Sequence, residues 1–324
     1  MPADFKSHIF NALVNAWSLV VGLAVYVVLG ILLGAAVSVL LPRSTVVKFL
    51  QLRRWWVLLP AAVTGLVSPA CTMGTVPVFA AAINSGASPA PAAAFLVAST
   101  LLNPQMFLLA VGALGAQMAL AQVGACLILA VLVGIAVELL SARGIDLARP
   151  QVGAYTKHRG TQTPAHQPSF APSNDSSARK FLRSLLDLTE FVGFYFVIGT
   201  IIAAVVAEFV PPGLVVGALG ERRWWAVPVS AVASVPVYVC GGAMIPFLAV
   251  ARKMGMASGA ILAVLIAGPA TRITALAALS VVFKKRAVLA YAVLVLAFAT
   301  ILGIALGNIL ALAPESLDGG AGGI

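Results

Sequence analysis

Charged side chains are scarce in this chain: they make up 9% of 324 residues against 61% hydrophobic, and the mean hydropathy is +1.05. So few charges cannot clothe the surface of a soluble domain, which excludes a water-soluble enzyme or binding module. Cysteine and histidine are scarce too, at three each. Cys71, Cys126 and Cys240 form no closely spaced pair, so neither a disulfide framework nor a structural zinc module is indicated. There is no Walker loop, Ser-His-Asp set or paired-carboxylate site, so nothing points to an enzyme or a bound cofactor. The net charge of +10 comes from basic residues in loops between apolar runs, not on one solvated face. Such a distribution orients a membrane protein and does not bind nucleic acid.

What the chain has instead is apolar length. Runs over 17–41, 57–83, 91–116, 120–140, 191–210, 226–251, 261–283 and 288–312 each approach or exceed the roughly 20 helical residues that cross a bilayer. A transmembrane barrel would show alternating segments of about ten residues, which are absent. The fold class expected is an all-α polytopic membrane protein, with the lipid bilayer and a small-molecule solute as its partners and homo-oligomerisation left open. The first run is too long for the apolar part of a signal peptide and its pattern recurs mid-chain, so it reads as a mature helix.

The chain is written twice. A shift of 169 positions lays Arg53-Arg54-Trp55-Trp56 on Arg222-Arg223-Trp224-Trp225, Cys71 on Cys240, Pro77 on Pro246, Gly86 on Gly255 and Gly134 on Gly303, without a gap. The organisation expected is a first repeat over 1–140, a linker over 141–184, a second repeat over 185–313 and a disordered tail over 314–324. The linker is rich in Pro, Ser, Thr and Gln and too poor in aliphatic residues to fold. His158 and His166 fall within it and read as inert.

Loop charge decides how the copies lie. Arg143, Arg149, Lys157, Arg159, Arg179, Lys180 and Arg183 outweigh Asp146 and Asp175 in the linker, which is therefore expected to be cytoplasmic. Loops 169 positions apart differ in bias: 115–117 is uncharged, whereas its counterpart holds Lys284, Lys285 and Arg286. Inverted repeats fit this pattern, with three crossings per unit and one re-entrant hairpin. The segments broken at Asn103-Pro104 and at Gly268-Pro269 are the expected hairpins, and the cysteine-bearing segments are then expected to cross. Four plain crossings and a parallel repeat are the alternative.

"PACTMGTVP" and "VCGGAMIP" interrupt apolar runs at matching positions, as do "ASTLLNP" and "AGPATR". A broken helix in lipid exposes backbone groups that cost on the order of several kcal/mol each, unless protein or a wet cavity receives them. Paired breaks mark a transporter's midplane site. The candidate binding residues are Cys71, Met73, Gly74, Pro77 and Asn103 in the first unit, with Cys240, Gly241, Met244, Pro246 and Arg272 in the second. Cys71 and Cys240, with the nearby methionines, offer soft sulfur to a metalloid, or else they pack as small hydrophobes. Arg272, at the position of Asn103, offers a charge at depth that suits an anion or neutral solute, or else it snorkels to the interface. Cys126 reads as packing.

At these motifs, and through "CTMGTVPVFAAAINSGASPAPAAAFLVASTLLNP" and "GMASGAILAVLIAGPATR", the chain resembles the predicted-permease family that includes bacterial exporters of trivalent organoarsenicals. The resemblance covers both repeats. It implies a multi-pass permease of the bacterial inner membrane, an efflux and arsenic-resistance role, and thiol contact between substrate and the loop cysteines. Where soft-metal members carry a second cysteine two positions after the first, this chain has Met73.

Overall fold

The computed structural model describes residues 2–40, 55–68, 75, 79, 88–143, 177–209, 212–220, 223, 225–238, 240–272, 275–276, 279–280 and 283–312. Among these the regular elements are helices. They are α1 (Pro2–Leu40), a one-turn 3-10 helix (Trp55–Val57), α2 (Leu58–Val67), α3 (Pro89–Leu101), α4 (Pro104–Leu114), α5 (Ala116–Ala142), α6 (Ser177–Phe209), α7 (Pro212–Leu219), α8 (Ala226–Val237), α9 (Gly241–Lys253), α10 (Ser258–Thr271) and α11 (Lys285–Leu312).

Among the described residues, four stretches are long and apolar enough to cross a membrane: Trp17–Val37, Ala116–Ala142, Leu185–Val206 and Lys285–Gly307. Counting the bent pair α3 and α4 as one span makes five. The outer faces of these long helices are aliphatic, with Val25, Ile128, Ile201 and Ile301 all exposed, which suits lipid and not water. The centre is α10, every residue of which is buried, as expected of a helix apolar all round. It packs against α8 and α11, while α3 packs against α2 and α5.

Small residues set these approaches, since without a hydrophobic drive between helices close packing carries the association. A Cβ on Gly134 would stand 2.8 Å from Leu58 Cδ2, 3.2 Å from Ala94 Cβ and 3.4 Å from Ala90 O. One on Gly303 would stand 2.7 Å from Val227 Cγ1, 3.3 Å from Ala263 Cβ and 2.7 Å from Gly259 O. Each neighbour of Gly303 lies 169 positions after its counterpart around Gly134.

Those contacts also give directions. Leu58 and Ala90 both meet Gly134, while Gly65 meets Phe95 and Ala98, so α2 and α3 start at the same end of the bundle and run parallel. Cys126 Sγ lies 3.6 Å from Ala98 O, which sets α5 antiparallel to α3. Val227 and Gly259 both meet Gly303, and Tyr238 covers Gly268, so α8 runs parallel to α10. Since α9 ends at Lys253 and α10 begins at Ser258, α9 returns to the end from which α8 started. Tyr26 of α1 meets Gly112 and Gly34 meets Gln105, so α1 runs antiparallel to α4, while Gly199 of α6 meets Ala243 and Ala203 packs with Val250 and Met254, so α6 runs parallel to α9. Met106 on Gly241 and Arg252 on Leu114 set α4 and α9 parallel, so α1 and α6 are antiparallel.

The geometry reverses one expectation. The segment expected to be a hairpin, α3 and α4, meets at a bend of 40°, with two extended residues between the limbs, Leu102 (φ −149°, ψ 143°) and Asn103 (φ −135°, ψ 167°). Two extended residues cannot turn a helix back, so the limbs run on as one broken crossing. In the second half the cysteine-bearing segment, expected to cross, is the one that turns back: α8 goes in, Tyr238 and Cys240 stand outside the helices, and α9 comes out. The other expected break also moves, because Pro269 sits inside α10, which continues to Thr271.

Candidate functional site

The breaks bring two helix starts together. Asn103 is the N-cap of α4, and its side chain accepts a hydrogen bond from Met106 N at 2.9 Å. Pro104 follows at the first helical position, where its missing N–H costs nothing. Cys240, extended at φ −155° and ψ 151°, is the N-cap of α9, and its carbonyl accepts from Met244 N at 2.9 Å. Met106 packs on Gly241 so closely that no Cβ fits there, and at the far ends Arg252 donates to the carbonyl of Leu114. The two helices therefore lie side by side and parallel, with both N-termini at one level. At 11 and 13 residues they are roughly 17–20 Å long, which puts that level near the middle of the bundle.

Tyr238 closes the group. Its ring covers Gly268 of α10, where a Cβ would have no room, and its hydroxyl lies 3.2 Å from where a Cβ on Gly241 would stand. It is buried and interacts electrostatically with both Cys240 and Arg272. Arg272 ends α10, where a cation suits the helix C-terminus. Its carbonyl accepts from Leu276 N at 3.0 Å, as that of Asn103 accepts from Phe107 N at 3.0 Å. The two residues hold the same backbone position 169 places apart. Asn103 turns its side chain inward as a cap, whereas arginine has no acceptor with which to do so.

Of the residues singled out from the sequence, Asn103, Cys240, Gly241 and Arg272 thus converge, joined through Met106 and Tyr238. Met244 is buried one turn into α9, and Pro246 lies a further half-turn on, inside the helix and away from the break. Cys71, Met73, Gly74 and Pro77 lie outside the described residues. Near them, Thr75 and Phe79 are fully buried, and the Phe79 ring sits 5.4 Å from that of Phe283. Cys126 is buried against α3, as packing requires.

Sequence reasoning missed Met106, Tyr238 and Gln105. Gln105 follows Pro104 in the first turn of α4, lies against Gly30 and Gly34 of α1, and its buried Nε2 has no hydrogen-bond acceptor among the described residues. A polar side chain in the turn after a helix break was the available signal.

Chemically the group offers a thiol outside any disulfide at Cys240, thioether sulfur at Met106, a phenol, a guanidinium and two helix N-termini, which favour negative charge or lone-pair density. No cluster of three or more His, Cys, Asp or Glu is present among the described residues.

A family model described as a predicted permease matches residues 8–308. A UPF0718 protein from Methanocaldococcus jannaschii is 28% identical over 136 residues, covering 42% of this chain and 37% of that relative's length. No solved structure matches.

Proposed function

The chain belongs to this predicted-permease family, and on that premise we propose that it moves a small thiophilic solute, most simply a trivalent organoarsenical, outward through the group around Cys240. The observation that carries the reading is the position of Cys240: a partly exposed thiol, outside any disulfide, at a helix break beside Met106, in a membrane protein otherwise poor in reactive groups. Soft sulfur is the ligand that a trivalent metalloid selects. Cys71, at the same repeat position, is the proposed second thiol.

The reading includes two inverted repeats separated by a cytoplasmic linker. Its support is the offset of 169 positions in sequence, the matched neighbours of Gly134 and Gly303, and the antiparallel run of α1 and α6, which that offset also pairs. In such an arrangement one hairpin opens from each side of the membrane, and rocking of one unit against the other alternates access to the centre. The α8–α9 hairpin, latched to α4 through Arg252, is the proposed gate at its own end.

The test is uptake into everted vesicles of trivalent methylarsenical by the purified, reconstituted chain. Cys71→Ser with Cys240→Ser abolishes it on this reading; unchanged uptake in the double variant removes the thiol mechanism. A second reading, a small anion as cargo, is favoured by the two helix N-termini and by Arg272, which ends α10 one turn after the Gly268 that Tyr238 covers. Loss of transport in Arg272→Asn with full activity in the cysteine variant selects it.

A further inference from the structure

Away from the breaks, a cavity of about 280 Å³ opens between α5 and α11, floored by Ala93 and Leu96 of α3. Its walls are Val137 and Leu140 from the last turns of α5 and Tyr291 from the start of α11, and they are almost wholly apolar. Among the described residues, the one charged side chain lining it is Arg286, exposed at its rim. Lys284 and Lys285 adjoin Arg286, and Arg143 ends α5 three residues beyond Leu140; all are exposed, against one exposed acid, Glu138. The cavity therefore pairs a dry slot with a basic rim at a membrane-facing seam.

The packing of α11 does not need that rim. At the positions 169 places earlier, where α5 starts as α11 does, the chain has Gly115, Ala116 and Gln117. A helix of 27 residues, against 28 in α11, starts there without a charge. The basic run is an addition to one end only.

We infer that this cleft is a binding site for an anionic phospholipid, with one acyl chain in the apolar slot and the headgroup phosphate on Arg286, supported by Lys284 and Lys285. Guanidinium suits phosphate by geometry as well as charge, and basic pockets between membrane helices are the usual receivers of anionic headgroups. The site is separate from the group around Cys240 and does not depend on the cargo.

The test uses the full chain in detergent, with thermal unfolding followed as phosphatidylglycerol or phosphatidylcholine of identical chains is added. Phosphatidylglycerol should stabilise at the lower concentration. Arg286→Gln, which installs the residue found at position 117, should weaken that effect about fivefold, one basic residue being worth about 1 kcal/mol at an anionic surface, and leave phosphatidylcholine unchanged. Ala290→Phe, filling the slot, should weaken both lipids. Equal stabilisation by the two lipids, an undiminished preference in Arg286→Gln, or the same shift from inorganic phosphate overturns the assignment. Native mass spectrometry of the unaltered protein, offered both lipids in equal amount, decides independently of the variants: retained phosphatidylglycerol supports the site and equal retention contradicts it. Displacement of retained phosphatidylglycerol by trivalent methylarsenical would make the cleft part of the transport route and also overturn it.

Discussion

Several positions 169 apart in the two halves share backbone contacts and differ in chemistry. At the break after α3, Asn103 caps its own helix with its side chain; at the position 169 places on, Arg272 holds the same backbone bond and cannot cap. At the two glycines, Gly134 meets a mobile leucine end and Gly303 meets a backbone carbonyl. At the helix starts that follow, an uncharged Gly-Ala-Gln stands against Lys-Lys-Arg. Such pairs teach that packing positions tolerate little divergence, whereas positions that face a solute or a lipid headgroup are free to differ, and their differences locate function.

The sharpest way to break that comparison is at the thiols. Replacing Cys71 and Cys240 together by serine should remove transport of a trivalent arsenical altogether, while unfolding temperature changes little, because serine fills nearly the same volume. Next in size, Arg272→Asn copies the first half's residue into the second. Losing charge-assisted bonds of about 1.5–3 kcal/mol should lower transport roughly tenfold to a hundredfold, read as initial rate at low solute. The reciprocal Asn103→Arg should fail for a different reason, by uncapping α4, and should show as lower stability.

Packing supplies a third test. Gly303→Ala should destabilise by about 1–3 kcal/mol in chemical unfolding, since Gly259 O cannot move without the helix. Gly134→Ala should cost less than about 1 kcal/mol, as Leu58 can turn aside. Equal costs would remove the distinction between the glycines. The smallest effect is expected at Arg252→Gln, which takes a cation from the C-terminus of α4 and should cost about 0.5–1 kcal/mol.

How far the fold could be read beforehand follows from the same residues. The membrane class, the shift of 169 positions and the breaks at Asn103 and Cys240 were legible because proline, glycine and charge within apolar runs are visible one residue at a time. Which segment turns back was not, since loop charge is the only sequence signal for direction and 83–88 and 115–117 both carry none. The hairpin was accordingly assigned to the wrong break. Pro269 looked like a helix end but lies within α10, where burial on every side outweighs a single missing N–H. Met106 and Tyr238 were illegible for another reason: each is an ordinary membrane residue until Gly241 and Gly268 let it approach. Tertiary contact makes them part of the group.

The claim that most depends on this geometry is that solute reaches Cys240 in the middle of the bundle. Alkylation of Cys240 by a water-soluble maleimide, in a Cys71→Ser, Cys126→Ser chain reconstituted in vesicles, measures this directly. Steady labelling that trivalent methylarsenical slows in proportion to its occupancy is the predicted result. A thiol that never labels, or labels at one rate whether or not the arsenical is present, would contradict the account.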